Sequence, residues 1–262
     1  MKWPNTLTVI RHGESTYNIL KDKKKNDPLY QEFLASYNNR DKEPKNIEIA
    51  RNLAQVIFDK GDYSLGKGDF ETPLTTNGTE QAILTGQKLK KLIKLPDVIL
   101  VSPYQRTIDT ALYANDGWSD LASVPMVEDE RLREKEHGLA LLYGDWRILN
   151  MLHPEQEMLH HLEGEYWYRY PQGENTPDVR QRNHSLLETM TREYSGQDVL
   201  IFTHHISILA LRANMERLDA NQYMELDENE KPINCGVTIY RGEPDQGRDG
   251  RLVLDMYNQK LY

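Results

Sequence analysis

Three apolar runs in the chain end in residues that can grip and attack a phosphate. "TLTVI" (6–10) runs directly into Arg11, His12 and Gly13. "DVILVS" (97–102) is followed by Pro103 and, about one helical turn later, by Arg106. "DVLIFTH" (198–204) delivers Thr203, His204 and then His205. Two guanidiniums beside imidazoles describe a pocket for a tetrahedral oxyanion, because arginine's planar fork donates paired hydrogen bonds and stays charged at any working pH. An imidazole of ordinary pKa, about 6.5, is largely neutral at pH 7, and its free nitrogen is a competent nucleophile. His12 is the better candidate for attack, since Gly13 lets the backbone turn closely behind it. That chemistry requires a backbone carbonyl to hold one ring nitrogen so that the other faces phosphorus. Each piece alone is ordinary: a strand-end histidine is usually structural, and Arg106 could be a surface charge. The reading rests on their occurrence together.

The elements that must position these residues follow from hydrophobic pattern. Strands are expected at 6–10, 97–102, 123–128 and 198–204, rich in Val and Ile and suited to a sheet covered on both faces. Between them, 77–93 reads as a helix with Ala82, Gly86, Leu89 and Ile93 on one stripe and with Asn77 and Glu80 in capping-box spacing. Residues 176–194 and 206–218 read as two more helices. Strands alternating with helices predict an α/β fold, a three-layer αβα sandwich around a mostly parallel sheet. Ligands of such sheets bind beyond the carboxyl ends of the strands, where all three runs deliver their polar residues. Residues 236–241 and 251–258 are expected to form a hairpin at one sheet edge.

Two stretches, about 19–72 and 135–170, do not fit the repeat and are expected as lid-like insertions in one domain spanning 1–262. The first contains an amphipathic pattern at 46–60 with Ile49, Ala50, Leu53, Ala54 and Ile57 on its buried side, and a lysine run, "KDKKK" (21–25), expected as a solvated loop. The second holds the aromatics Tyr143, Trp146, Tyr166, Trp167, Tyr168 and Tyr170, which could stack on a substrate ring or pack the insertion.

Composition narrows the classes. The 262 residues are 38% hydrophobic and 28% charged, with a net charge of −9, so nothing sequence-wide attracts nucleic acid or an anionic membrane. Cys235 is the only cysteine, which excludes an intrachain disulfide framework. The first strand begins too early for a secretory signal, and no apolar run nears the roughly 20 residues of a membrane span. A soluble, cytoplasmic protein with a small phosphorylated substrate is the expectation. Oligomeric state is not legible.

The motifs "RHGESTYN" (11–18), "PLTTNGTEQA" (73–82), "SPYQRTIDTA" (102–111), "LREKEHG" (132–138), "YPQGEN" (170–175) and "FTHH" (202–205) together resemble the histidine phosphatase superfamily, in its phosphoglycerate-mutase-like branch. The resemblance implies phosphoryl transfer without a metal or other cofactor. His12 would become the phosphohistidine, Arg11 and Arg106 would clamp the phosphate, and His204 would donate to a phosphate oxygen. Glu134 would protonate the leaving oxygen, although Glu130 and Glu136 lie near enough in sequence to compete for that role. Ser15 and Asn18 resemble auxiliary phosphate contacts. The family usually has glycine after the second histidine, and His205 departs from that. Its backbone N–H could still face the phosphate while its side chain goes elsewhere or enters the pocket.

Hydrolysis and mutase chemistry share their first half-reaction. The long insertion and "LREKEHG" favour a phosphatase over a phosphoglycerate mutase. A binding protein on the same fold is the alternative from another class, and the presence of all five candidate catalytic residues speaks against it. "HPEQEMLHHLEGE" (153–165) places Glu157 and His161 four apart, a spacing a metal could use, but without a zinc-protease signature a lid helix is the expected reading.

Overall fold

The structure is a computed structural model that describes residues 2–66 and 68–262. In chain order the elements begin with β1 (Thr6–Arg11), α1 (Thr16–Lys25), α2 (Pro28–Asn38), α3 (Lys45–Lys60), α4 (Thr76–Leu89) and β2 (Val98–Val101). They continue with α5 (Gln105–Gly117), β3 (Met126–Glu128), α6 (Trp146–Leu152), α7 (Pro154–Glu163) and α8 (Thr176–Glu193). Last come β4 (Asp198–Thr203), α9 (His205–Glu216), α10 (Ala220–Asn229), β5 (Val237–Glu243) and β6 (Arg251–Gln259). The chain forms two compact units: Met1–Ser15 with Phe70–Glu134 and Thr176–Tyr262, and Thr16–Asp69 with Lys135–Asn175.

The first unit is built on a six-stranded sheet of order β3-β2-β4-β1-β5-β6. β3, β2, β4 and β1 are parallel, while β5 and β6 run antiparallel. Alternate side chains of the buried strands serve two cores. Leu7, Val9, Leu100, Val199 and Ile201 pack with Leu186, Met190, Ile208 and Leu211 of α8 and α9. Ile10, Ile99, Val101, Leu200 and Phe202 pack on the other face with Leu89 of α4 and Ala111 and Ala114 of α5. A sheet apolar on both faces explains why β2 and β4 read as continuous hydrophobic runs.

Several expectations need correcting in detail. The run at 123–128 yields only three strand residues, because Ser119–Ser123 forms a tight turn; β3 is an edge strand with Met126 and Val127 each 43% exposed. α4 is capped by Thr75, whose Oγ1 accepts the Gly78 N–H at 2.9 Å, and not by Asn77. The Thr75 N–H donates to the Glu14 carbonyl at 2.9 Å, which fixes the chain there, so that Asn77 already lies inside the helix. Gly86 behaves as its weak place in the stripe suggests: a Cβ there would lie 2.1 Å from the Ala114 carbonyl oxygen, so α4 and α5 touch backbone to backbone.

The second unit has its own core of Tyr30, Phe33, Ala50, Ala54 and Ile57 with Ile148 and Met151. Ile49 turns away and is 40% exposed, one position off the stripe. The lysine run is helical, forming the end of α1, and Lys24 is buried against Asp145 with Nζ 2.6 Å from Oδ2. Tyr168 and Tyr170 are buried in a second small cluster, whereas Trp167 is exposed. In the 153–165 stretch, His153 pairs with the Tyr143 hydroxyl, and His160 bridges Asn150 and Glu165. The described residues contain no group of three or more potential metal ligands.

Candidate active site

β1 and β4 are parallel neighbours in register, Arg11 opposite Thr203, so Arg11–His12 and His204 leave the sheet side by side. The His12 and His204 rings stand edge to face with centroids 5.2 Å apart. Both are buried. Nδ1 of His12 lies 2.7 Å from the Gly13 carbonyl oxygen. A carbonyl can only accept, so Nδ1 carries the proton and Nε2 carries the lone pair.

Gly13 does more than allow a tight turn. Its N–H donates to Thr110 Oγ1 of α5 at 2.9 Å. A Cβ on it would come 2.5 Å from the Gly78 carbonyl oxygen, and one on Gly78 would come 2.0 Å from that of Glu14. The two glycines therefore mesh, and the loop after His12 is seated directly on the first turn of α4. A different loop holds the other side. Pro232 O accepts from Arg11 Nη1 at 2.6 Å, Asn234 Nδ2 donates to the His12 carbonyl at 3.0 Å, and the Cys235 N–H reaches the carbonyls of Arg11 and His12. Cys235 holds φ at +49° to do so. Its thiol is pushed up to about 12 by burial, so it stays protonated and inert.

His204 caps the start of α9, and its Nε2 pairs with Ser102 Oγ at 2.8 Å. Its Nδ1 is buried with no hydrogen-bond partner. The Tyr104 ring packs edge-on at 4.9 Å, and Arg106 in turn lies over Tyr104, 4.9 Å from the ring centre. Burial, then Arg106, His12, Arg11 and Arg182, hold the His204 imidazole well below the usual 6.5, so it is neutral at pH 7. Arg11 feels the same field. Burial and Arg106 lower its pKa while Glu134 raises it.

Glu134 Oε1 accepts the Ile206 N–H at the start of α9, 3.1 Å away. Among its rivals, Glu130 has its side chain 82% exposed beside Arg133. Glu136 belongs to the second unit, where its N–H is held by Glu174. Arg182 on α8 fixes the loop that carries Glu134, donating to the carbonyls of Arg131 at 2.7 Å and Glu134 at 3.0 Å. The sheet unit thus brings together Arg11, His12, Arg106 and His204, from beyond the carboxyl ends of β1, β2 and β4, with Glu134 on the loop that follows β3.

A profile of the histidine phosphatase superfamily (branch 1) matches residues 62–253, nearly three quarters of the chain. The chain belongs to the histidine phosphatase superfamily. The match starts downstream of Arg11-His12-Gly13, whose place in this histidine phosphatase site rests on the geometry above. Phosphoglycerate mutase-like protein AT74H of Arabidopsis thaliana is 29% identical over 161 residues, 57% of this chain and 54% of that protein. The chain therefore covers about half the length of that relative. A 2,3-bisphosphoglycerate-dependent phosphoglycerate mutase of Bifidobacterium longum is 27% identical over 230 residues, 74% of this chain and 91% of the mutase. A mycobacterial glucosyl-3-phosphoglycerate phosphatase superposes with a TM-score of 0.61 at 21% identity, over 97% of this chain and 99% of its own, a likeness of fold.

The remaining sequence candidates sit as follows. Ser15 is buried in the sheet unit, its backbone bridged to Leu74. Asn18 lies on α1 in the second unit. His205 opens α9 and turns its ring to Asp227 of α10, with Nε2 2.7 Å from Oδ1. Any phosphate contact from His205 would have to come from its backbone N–H. Sequence reasoning missed Ser102 Oγ, Tyr104, Arg182 and Asn234 as parts of the site. Ser102 and Tyr104 stand within the quoted "SPYQR". Arg182 and Asn234 carried no signal, because each acts on a backbone carbonyl distant in sequence.

Proposed function

We propose that this histidine phosphatase is a phosphomonoester hydrolase acting on a small phosphorylated metabolite through a phosphohistidine on His12. The observation that carries the reading is the bond from His12 Nδ1 to the Gly13 carbonyl, with His204 and the arginines beside it. It points the Nε2 lone pair as the nucleophile of the first step. Nε2 attacks phosphorus while the ester P–O bond breaks, and Glu134, through the oxygen not taken by Ile206, gives its proton to the departing alkoxide. Water then attacks the phosphohistidine. Glu134 takes a proton from it, the P–N bond breaks, and inorganic phosphate leaves.

Such in-line transfer needs positioning and charge stabilisation more than covalent help. Arg11, Arg106 and the amino-terminal end of α9 supply positive charge where it builds, so the cycle calls for no added cation. His204 Nδ1, buried without a partner, gains one in a phosphoryl oxygen, and the dianion's field favours its protonated, donating form.

Release of phosphate from p-nitrophenyl phosphate tests the reading. Activity should persist in the presence of EDTA and fall by at least a thousandfold in His12→Ala. An acid-labile, base-stable phosphoryl label should appear on the wild type and not on that variant. An active His12→Ala protein would overturn the mechanism. A second reading, a phosphoglycerate mutase, is favoured by the relative from Bifidobacterium longum, which this chain matches over 91% of its length. Isomerisation of 3-phosphoglycerate, primed with 2,3-bisphosphoglycerate, that outpaces phosphate release would establish it in place of hydrolysis.

A further inference from the structure

A cavity of about 790 Å³ opens on the sheet unit beside the start of β1, among Trp3, the outer side of α8, the end of α9 and the turn between β5 and β6. The six residues of β1, about 17 Å of strand, separate that end from Arg11 and His12. Three arginines line the cavity: Arg217 after α9, and Arg248 and Arg251 at the hairpin turn. Among the described residues none of the three has an ion pair or a side-chain hydrogen bond.

None of the acids that line the cavity is paired with them. Asp249 is paired with Lys2 at 3.1 Å, and Glu188 approaches His184 at 3.7 Å. The carbonyls at the end of α9 are covered as well, Ala213 and Leu218 accepting from Arg180. Against the two carboxylates of Glu188 and Asp249, a chain of net charge −9 thus gathers around one cavity three guanidiniums without an ion pair among the described residues. Their mutual repulsion falls when an anion binds, and each fork suits a phosphate. Trp3 supplies the other half of a recognition site. It is partly buried, with one side packed on the α8–α9 core, which leaves an indole that is already held in place. A planar base can stack on it at little entropic cost.

We propose that this cavity binds a nucleoside di- or triphosphate, with the base on Trp3 and the phosphates among Arg217, Arg248 and Arg251. The volume lies within the range of small-molecule sites, about 300–1,000 Å³. A single phosphate, at most a dianion, carries less charge than three guanidiniums, and an inorganic polyphosphate would leave Trp3 unused. The site makes no use of His12 and stands or falls separately from the hydrolase reading.

Calorimetric titration with α,β-methylene-ADP, whose bridging carbon resists hydrolysis, is the test. The affinity should weaken at least tenfold in Arg248→Glu/Arg251→Glu and in Trp3→Leu, and stay unchanged in Arg106→Gln. Methylenediphosphonate, the same charge without a ring, should bind the wild type at least tenfold more weakly. In the unmodified protein the Trp3 indole N–H resonance should move on titration, a readout that needs no variant to fold. Binding that survives the double arginine change would overturn the proposal. So would methylenediphosphonate binding as tightly as the nucleotide, or an indole resonance that does not move.

Discussion

Glu134 and His204 make different demands on protonation, and each can be read separately. An alkoxide leaves poorly without a proton, so Glu134→Gln should lower kcat/KM, which reports formation of the phosphohistidine and not its hydrolysis, by about 10²–10⁴-fold on an alkyl phosphate. On p-nitrophenyl phosphate, whose leaving group is already stable as an anion, the loss should stay below about tenfold; equal losses on both esters would remove Glu134 from the acid's role. His204 writes its state into stability. The unfolded chain protonates that ring as the pH falls through about 6.5, while the folded protein, its pKa held lower by burial and three arginines, does not. The unfolded state then binds more protons, so stability declines with falling pH, by at most about 1.4 kcal/mol per unit, until the folded pKa is reached. Urea unfolding between pH 7 and 5 should show a shallower decline in His204→Gln than in the wild type. At this scale the sequence made His12, Arg11, Arg106 and His204 legible, because strand ends place them without further help. It could not disclose that Nδ1 of His12 meets its neighbour's carbonyl or that His205 turns to Asp227, since both depend on backbone angles and on a helix further along the chain.

The elements add constraints that pattern reading reaches only in part. The αβα layering and the edge hairpin follow from apolar periodicity, and both are present. The meshing of Gly13 with Gly78 was not foreseeable, because glycine advertises freedom of the backbone and not the identity of what approaches it. Gly78→Ala should therefore be costly even though alanine favours helices. Its methyl group would lie 2.0 Å from the Glu14 carbonyl oxygen, so the first turn of α4 or the loop after His12 must shift. A loss of about 1–3 kcal/mol in thermal or urea unfolding is expected. kcat should drop together with it, whereas an alanine at exposed Gly196, where φ is +76° and nothing lies within 4 Å, should cost stability through backbone strain and leave kcat alone.

At the scale of the whole chain, residues 16–69 and 135–175 build a unit with its own core and its own buried ion pair. Lys24→Met would leave the buried Asp145 with only Arg147, 3.5 Å from Oδ1, as a cation, and the loss should lie at or below the about 3–5 kcal/mol of a fully broken buried pair. Hydrogen exchange should then accelerate in α2, α3 and α6 while β1 and β4 keep their protection. Uniform acceleration in both units would show that they unfold as one. Within the sheet unit, the loop of Pro232, Asn234 and Cys235 grips the backbone of Arg11 and His12 from the far end of the chain. Synthesis from the amino terminus therefore produces every candidate acid, base and nucleophile before it produces the brace that holds them. A chain cut ahead of Pro232 would carry all five candidate residues with nothing on that side to hold the backbone of Arg11 and His12.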